Sequence, residues 1–212
     1  MKRSKWLLLP LLVLALTACG GLEDKQGGSV FQEQSSQGFV TAEDATKPEV
    51  PEGALVDQSG DFVYDGKLQQ IGDDENGYLK VPLGYLPFQD EDVQGLTQYS
   101  DATGKNIFTL EHYSMPYQLA AENMRSYLSQ QETVQDIQGA SVPVAGYNAL
   151  QLYGHYSDGY YIVIWFIEDP AAPESSSYYL AIEFDTDHQN LIACSSSFLT
   201  VEDYHKQETA AE

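Results

Sequence analysis

The segment Tyr161–Ile167 constrains the fold more than any other part of this 212-residue chain. Its sequence, Tyr-Ile-Val-Ile-Trp-Phe-Ile, is apolar at every position, whereas a strand with one solvated face alternates apolar and polar residues. A strand that buries both faces belongs in the middle of a sheet covered on each side. Its predicted neighbour is Tyr178–Phe184, which follows across the Pro- and Ser-rich loop Pro170–Ser177.

Turn residues and apolar spacing predict the other elements. A helix is expected from Pro116 to about Gln131, because apolar residues recur there at intervals of three and four, and a second helix is expected near Asp187–Ser197. The first stretches, Asp61–Asp65 and Lys67–Ile71, are predicted to form a hairpin around Asp65-Gly66. The remaining strands are predicted at 77–81, 85–88, 98–100, 107–113, 136–144, 149–156 and 160–168.

This order of strands, helix, strands, helix predicts an α+β fold. Because short turns join successive strands, the sheet should be mainly antiparallel. With helices covering each face, the expected architecture is an α/β/α sandwich.

The first residues resemble the secretion signal of a bacterial lipoprotein. A basic start precedes the apolar stretch Trp6–Leu14, which is too short to span a bilayer as a helix. Leu16-Thr17-Ala18-Cys19 then resembles the lipobox, in which the cysteine is diacylated and the preceding peptide bond is cut. Cys19 is therefore the predicted lipidation site, and two acyl chains make a stable anchor. The alternative is an ordinary cleaved signal peptide with Cys19 incidental.

Composition divides the chain into four predicted parts. Residues 1–18 are the lipoprotein signal peptide, and residues 19–60 are the lipidated cysteine and a disordered acidic tether rich in Gly, Ser, Gln, Glu and Pro. Residues 61–200 form the folded domain, and residues 201–212 form a flexible acidic tail. The predicted location is the extracytoplasmic face of the cell membrane; a Gram-positive membrane and a Gram-negative outer membrane both remain open, since Gly20 follows the cysteine.

Charge and cysteine use narrow the partners. The chain has 32 acidic and ten basic residues, a net charge of −22. Phosphates would be repelled, so nucleic acid is not an expected partner. Cys194 is the only cysteine besides Cys19, and the fold is therefore expected to need no disulfide. Helical spacing places Cys194 near the apolar face of its helix, which predicts a buried, inert thiol.

The domain also resembles the PsbP-like domains, which include many small lipoproteins of Gram-positive bacteria. The resemblance covers roughly residues 71–199 and rests on turn and core motifs: Gly77-Tyr78-Leu79-Lys80-Val81-Pro82 with Gly84-Tyr85, Gln98-Tyr99-Ser100-Asp101, Ile137-Gln138-Gly139-Ala140, Gly146-Tyr147-Asn148-Ala149, Gln151-Leu152-Tyr153-Gly154 and Ser196-Ser197-Phe198. It implies an α/β/α sandwich in a non-catalytic role, such as an assembly or stabilising subunit. It supplies no catalytic residues to carry over.

Candidate sites in the sequence are weak. The four histidines, His112, His155, His188 and His205, form no HxxxH or HxH pair, so no metal site is predicted. Three acidic groups could be ion sites but are expected to be solvated turns: Asp73-Asp74-Glu75-Asn76-Gly77, Asp90-Glu91-Asp92, and Asp185 with Asp187 and Gln189. The serines 195–197 lack the G-x-S-x-G elbow of a hydrolase.

Tyrosines offer the one predicted recognition surface. The chain has 15 of them, and several fall on neighbouring predicted strands or their ends. A ligand-binding patch is assigned to Tyr153, Tyr156, Tyr160 and Tyr178.

The leading hypothesis is a non-enzymatic, membrane-anchored binding or accessory module without a cofactor, whose partner would be an envelope protein or a glycan. The alternative is a solute- or glycan-binding lipoprotein that uses the tyrosine patch. An envelope hydrolase is a third hypothesis, and it requires a serine or carboxylate paired with His112 or His155 in a cleft.

Overall fold

A computed structural model of the chain describes residues 50–88 and 96–210. The predicted signal peptide, Cys19 and the turn at residues 90–92 lie outside these ranges. Eleven strands occur in the described part of the chain: β1 Leu55–Val56, β2 Val63–Tyr64, β3 Leu68–Asp73, β4 Gly77–Pro82, β5 Leu86–Phe88, β6 Thr97–Ser100, β7 Ile107–Tyr113, β8 Val134–Ser141, β9 Ala149–Tyr156, β10 Tyr161–Glu168 and β11 Ser177–Phe184.

Helix α1 spans Tyr117–Leu128, a 3₁₀ helix spans Thr186–Ser197, and helix α2 spans Val201–Ala210. The second predicted helix is thus of the tighter 3₁₀ type. The hydroxyls of Ser195, Ser196 and Ser197 each donate to the carbonyl three residues earlier. Within the described ranges, none of the helices is both long enough and apolar enough to span a bilayer.

The main sheet has seven strands in the order β5-β6-β7-β11-β10-β9-β8, and every neighbouring pair is antiparallel. The mainly antiparallel sheet predicted from the sequence is confirmed. Strand β10 lies between β9 and β11, and its residues from Ile162 to Ile167 are all buried. The doubly apolar segment therefore occupies an interior position in the sheet, as its composition requires.

The two faces of the sheet bury different residues of β10. Ile162, Ile164 and Phe166 pack into a cluster with Ala120, Ala121 and Leu128 of α1. On the opposite face, Val163, Trp165 and Ile167 pack with Leu191, Ile192 and Phe198 from the 3₁₀ helix and its end. The β3–β4 hairpin adds Ile71, Leu79 and Val81 to this second cluster. Together these two layers exclude water from both sides of β10.

The predicted hairpin around Asp65-Gly66 is wrong. Strand β2 pairs back to β1, and β3 pairs forward to β4 with Ile71 opposite Leu79. The turn between β3 and β4 is closed by the Asp73 carboxylate, which accepts hydrogen bonds from the backbone N–H groups of Glu75 and Asn76. Leu79 and Val81 of β4 are completely buried in the cluster that includes the 3₁₀ helix.

The predicted tether extends too far toward the domain. Strand β1 lies within residues 19–60, and Leu55 packs against the core formed with the 3₁₀ helix. Asp57 orders the following turn, since its carboxylate accepts hydrogen bonds from the Phe62 N–H and the Ser59 hydroxyl. The folded part therefore begins before residue 61.

The predicted flexible tail is largely a helix, α2. The Tyr204 ring stacks on Tyr78 of β4 with a centroid separation of 3.7 Å. The carboxylate of Asp203 accepts a 2.5 Å hydrogen bond from the Tyr147 hydroxyl. The acidic, polar composition predicted a frayed tail, and α2 indeed has no fully buried residue. Its contacts are instead aromatic and polar.

Candidate functional site

The four tyrosines assigned to a ligand-binding patch are not brought together. Tyr153 packs against the core that contains Trp165, whereas Tyr156 packs against the opposite cluster beneath α1. Tyr160 lies in the turn before β10. Tyr178 is only 6% exposed, and its ring lies 4.7 Å from that of His112. These positions do not form one recognition face.

A small crevice lies beside Tyr153. It has a volume of about 40 Å³ and is bordered by β1–β2 turn residues, Val144, Trp165 and Ile192. Pockets that hold drug-sized ligands have volumes of roughly 300–1,000 Å³. The Tyr153 hydroxyl donates a 2.5 Å hydrogen bond to Gln138, across the β8–β9 pair. The crevice is therefore far smaller than a pocket that encloses a drug-sized ligand.

A group of polar side chains joins His112, Asp169 and Ser176. Nε2 of His112 lies 3.3 Å from Oδ2 of Asp169, and the Ser176 hydroxyl donates to the same oxygen at 2.6 Å. Oδ1 of Asp169 accepts the N–H of Ala171. Burial alone would raise the pKa of Asp169, but these hydrogen bonds, including those from Ser176 and His112, outweigh it and lower the pKa. Asp169 is therefore a stable carboxylate that fixes the loop between β10 and β11.

The group contains the residue types of a Ser-His-Asp hydrolase, but its hydrogen bonds connect them in a different order. In a Ser-His-Asp triad the histidine lies between the other two and takes the serine proton. Here Asp169 is in the middle, and the buried Ser176 hydroxyl donates to the carboxylate rather than to His112. A serine held in this way is not activated as a nucleophile.

Asn76 continues the network into the β3–β4 turn. Its side-chain oxygen accepts the backbone N–H of His112 at 3.0 Å, and its Nδ2 donates to Asp73 and to the Thr97 hydroxyl. Asp73 also accepts a hydrogen bond from the Thr97 hydroxyl. The acidic turn at 73–77 thus connects the hairpin to the sheet, and the carboxylate of Asp73 accepts hydrogen bonds from donors within the domain.

His155 lies on β9, and its Nδ1 is 3.8 Å from the exposed carboxylate of Asp136.

Asp185, Asp187 and Gln189 do not form a calcium loop. Asp185 precedes the 3₁₀ helix, and its Oδ1 accepts the backbone N–H of Asp187 and a 2.5 Å contact from Nδ1 of His188. It therefore caps the helix. Within residues 50–88 and 96–210, no group of three or more histidine, cysteine or acidic residues is placed to hold a metal ion.

Cys194 lies in the second core, fully buried. Burial raises the pKa of its thiol to about 12, so the reactive thiolate is not formed near neutral pH. The prediction of a buried thiol is confirmed.

Glu183 is a buried carboxyl group that the sequence analysis missed. It lies on β11, is 8% exposed, and its Oε2 has no hydrogen-bond partner within the described residues. Burial raises the pKa of Glu183 to about 7, although a hydrogen bond from Tyr156 acts in the opposite direction. The available signal was a single acidic residue in the otherwise apolar run Tyr178–Phe184.

Comparison with protein-family models gives no match for this chain, and comparison with curated proteins gives none either. Among solved structures, the chain is similar to the solution structure of cyanobacterial PsbP (CyanoP) from Synechocystis sp. PCC 6803. The sequence identity is 12% and the TM-score is 0.48, over 65% of this chain and 94% of that chain. The similarity concerns overall shape, and no residue role is carried over from it.

Proposed function

We propose that this protein is an extracytoplasmic, lipid-anchored module that binds or stabilises an envelope partner without catalysing a reaction. The observation that carries the proposal is the pattern Leu16-Thr17-Ala18-Cys19 behind a basic and apolar leader. A diacylated Cys19 would fix the protein to the membrane surface. The folded domain would then meet its partner at that surface.

For the domain itself we propose a PsbP-like α/β/α sandwich. The motifs between Gly77 and Phe198 favour this family. The arrangement of the core agrees with it, since α1 contributes to the cluster on one face of the sheet and the 3₁₀ helix to the cluster on the other.

A non-enzymatic role is supported by how the polar residues are used. The carboxylate of Asp169 accepts hydrogen bonds from Ser176 and from the backbone of its own loop. The hydroxyls of Ser195, Ser196 and Ser197 donate to backbone carbonyls of their helix. Each of these groups is engaged by a structural hydrogen bond, whereas a hydrolase keeps its nucleophile and its general base available to the substrate.

The anchor is tested by mass spectrometry of the mature N-terminus. We expect the chain to begin at an acylated Cys19, and we expect Cys19→Ala to release the protein or stall its processing. Cys194→Ala is the matched control and should leave acylation unchanged, because that thiol is fully buried in the folded domain. A mature chain with an unmodified cysteine would contradict the anchor.

The binding role is tested by crosslinking on intact cells. A defined partner should be recovered with the wild-type chain. It should be lost with a variant that keeps the anchor but lacks the folded domain. Turnover of a cell-wall substrate by the purified protein, abolished by His112→Ala, would overturn the non-enzymatic role.

A further inference from the structure

Three consecutive residues of α2 contact three different groups of the domain. The contacts pair a carboxylate with a hydroxyl, a ring with a ring and an imidazole with a carboxylate: Asp203 with Tyr147, Tyr204 with Tyr78, and His205 with Asp74. The two tyrosine rings lie 3.7 Å apart at an interplanar angle of 16°, and Nε2 of the imidazole lies 2.6 Å from Oδ1 of the carboxylate. We call Asp74, Tyr78 and Tyr147 the tyrosine platform.

The tyrosine platform is held in place by residues outside α2. Tyr78 exchanges two backbone hydrogen bonds of 2.9 Å with Leu199, which precedes the helix. The Tyr78 hydroxyl donates to Asp74 at 2.7 Å and so orients the carboxylate. The Tyr147 ring packs edge-on against the buried Phe198, with the ring centroids 5.9 Å apart. We therefore expect the platform to keep its shape when α2 leaves it.

Helix α2 is a weakly matched occupant of this surface. None of its residues is buried, and a helix of ten residues is marginal in water by itself. Its acidic residues outnumber its single lysine, and the same is true of the β3–β4 hairpin: Glu202, Asp203 and Glu208 with Lys206, and Asp73, Asp74 and Glu75 with Lys80. Lys206 is moreover paired with Glu202 and Asp203 of its own helix. A basic segment would therefore meet less repulsion at the platform than α2 does.

We propose that the tyrosine platform binds a basic segment of a partner protein, in which an aromatic residue is followed by lysine or arginine, and that α2 occupies the platform as an internal competitor. The aromatic ring takes the place of Tyr204 on Tyr78, and the cation takes the place of His205 beside Asp74. Lysine and arginine carry their charge at neutral pH, whereas a histidine does so only when it is protonated. The proposal rests on the binding role proposed above and names the chemistry of the partner.

The test uses the chain of residues 19–212 with Cys19→Ala, and fluorescence anisotropy of a labelled synthetic peptide. The probe has the sequence of residues 200–210 with blocked ends and a net positive charge, obtained with three substitutions, Glu202→Gln, His205→Lys and Glu208→Gln. In the protein, Tyr204→Ala combined with His205→Ala releases α2 from the platform. This released variant should bind the probe about tenfold more tightly than the wild type, because a tethered helix competes at a high effective concentration.

Variants of the platform locate the binding surface. When added to the released variant, Asp74→Asn and Tyr78→Ala should each lower the affinity for the probe about fivefold or more. Glu75→Gln is the matched control, since Glu75 is exposed in the same turn, and it should change the affinity less than about twofold. Circular dichroism verifies that each variant is folded.

Three results overturn the proposal. The first is the absence of probe binding to the released variant, or equal binding to it and to the wild type. The second is binding that Asp74→Asn and Tyr78→Ala leave unchanged. The third is exchange of α2 between two copies, seen as dimerisation of the wild type that the released variant loses. The crosslinking test of the binding role uses no peptide, so the two proposals can fail separately.

Discussion

Glu183 shows how one residue can set the pH dependence of stability. The pKa of this buried carboxyl group is about 7, raised from an ordinary 4.5 by burial. When the pKa of a group is higher in the folded state than in the unfolded state, its contribution to stability is complete below the unfolded-state pKa. That contribution is lost as the pH rises through the folded-state pKa. Glu183 therefore opposes folding progressively between about pH 4.5 and pH 7.

Replacing the carboxyl group with a neutral amide should remove that cost. We expect Glu183→Gln to raise the free energy of unfolding at pH 8 by up to about 3 kcal/mol, since one pKa unit corresponds to about 1.4 kcal/mol. At pH 4.5 the difference from the wild type should nearly vanish. Urea denaturation of both proteins across this range measures it.

The control is Glu122→Gln, at an exposed position on α1. It should leave the free energy of unfolding within about 0.5 kcal/mol of the wild type at every pH. If Glu183→Gln instead destabilises the protein equally at pH 5 and pH 8, Oε2 of Glu183 has a hydrogen-bond partner and its assignment as an unsatisfied buried atom is wrong.

The residue scale also explains the mixed outcome for candidate sites. The buried Cys194 was predictable, because the helical spacing of Leu191, Cys194 and Phe198 places the thiol on an apolar face. The link between His112, Asp169 and Ser176 was not predictable, because these residues are brought together only when β11 pairs with both β7 and β10. Spacing along a chain carries no information about such cross-strand contacts.

At the scale of elements, the β3–β4 hairpin has a glycine where no side chain fits. Gly72 has φ +108°, and a Cβ there would lie 2.0 Å from the Gly77 carbonyl oxygen and 2.8 Å from the Tyr78 Cα. We expect Gly72→Ala to lower the free energy of unfolding by about 3 kcal/mol or more, because backbone atoms cannot move away. Thermal unfolding measures the loss.

Gly84→Ala measures the cost of backbone strain without the steric clash that Gly72→Ala adds. Gly84 has a similar φ of +101°, but a Cβ added there would meet nothing within 4 Å. We expect a loss of only about 1–2 kcal/mol, from the left-handed conformation alone. Equal losses at the two positions would show that the hairpin opens to accept a methyl group.

Helix α2 is held by a polar contact with the β3–β4 turn. Nε2 of His205 lies 2.6 Å from Oδ1 of Asp74, which also accepts the Tyr78 hydroxyl. This contact raises the pKa of His205, and the hydrogen bond from Tyr78 together with the contact from His205 lowers the pKa of Asp74. The stabilisation of α2 docking by this pair is therefore present at mildly acidic pH. It is lost as the pH rises through the elevated pKa of His205 and as the pH falls through the lowered pKa of Asp74.

Removing the carboxylate should reverse this effect. We expect Asp74→Asn to move the pKa of His205 down toward 6.5 and to speed amide hydrogen exchange in α2, with little change in the core strands. Titration of the imidazole signals by NMR and native-state exchange measure the two effects. Glu202→Gln, on the same helix but paired with Lys206, should leave the His205 titration unchanged. An unchanged titration in Asp74→Asn would mean that α2 does not dock through this pair.

At the scale of the whole molecule, the sequence alone predicts an antiparallel sheet and identifies its interior strand. Tyr161–Ile167 consists of aliphatic and aromatic residues, so exposure of either face would cost hydrophobic free energy, and the short turns between successive predicted strands favour antiparallel pairing. These are local constraints, written in consecutive residues. The leader ending at Cys19 is equally local, and its processing is a prediction of the sequence alone.

The layers around the sheet follow from tertiary contacts that the sequence does not reveal. The docking of α2 on Tyr78 and the contact between His112 and Asp169 join residues distant in sequence, and the tyrosines of β9 are separated onto two faces of the sheet. Such contacts depend on strand register and on which layer covers which face, because a shift of one residue exchanges the two faces of a strand. Hydrophobic pattern therefore specifies the core, while the surfaces that could meet a partner or a membrane emerge from how the layers are assembled.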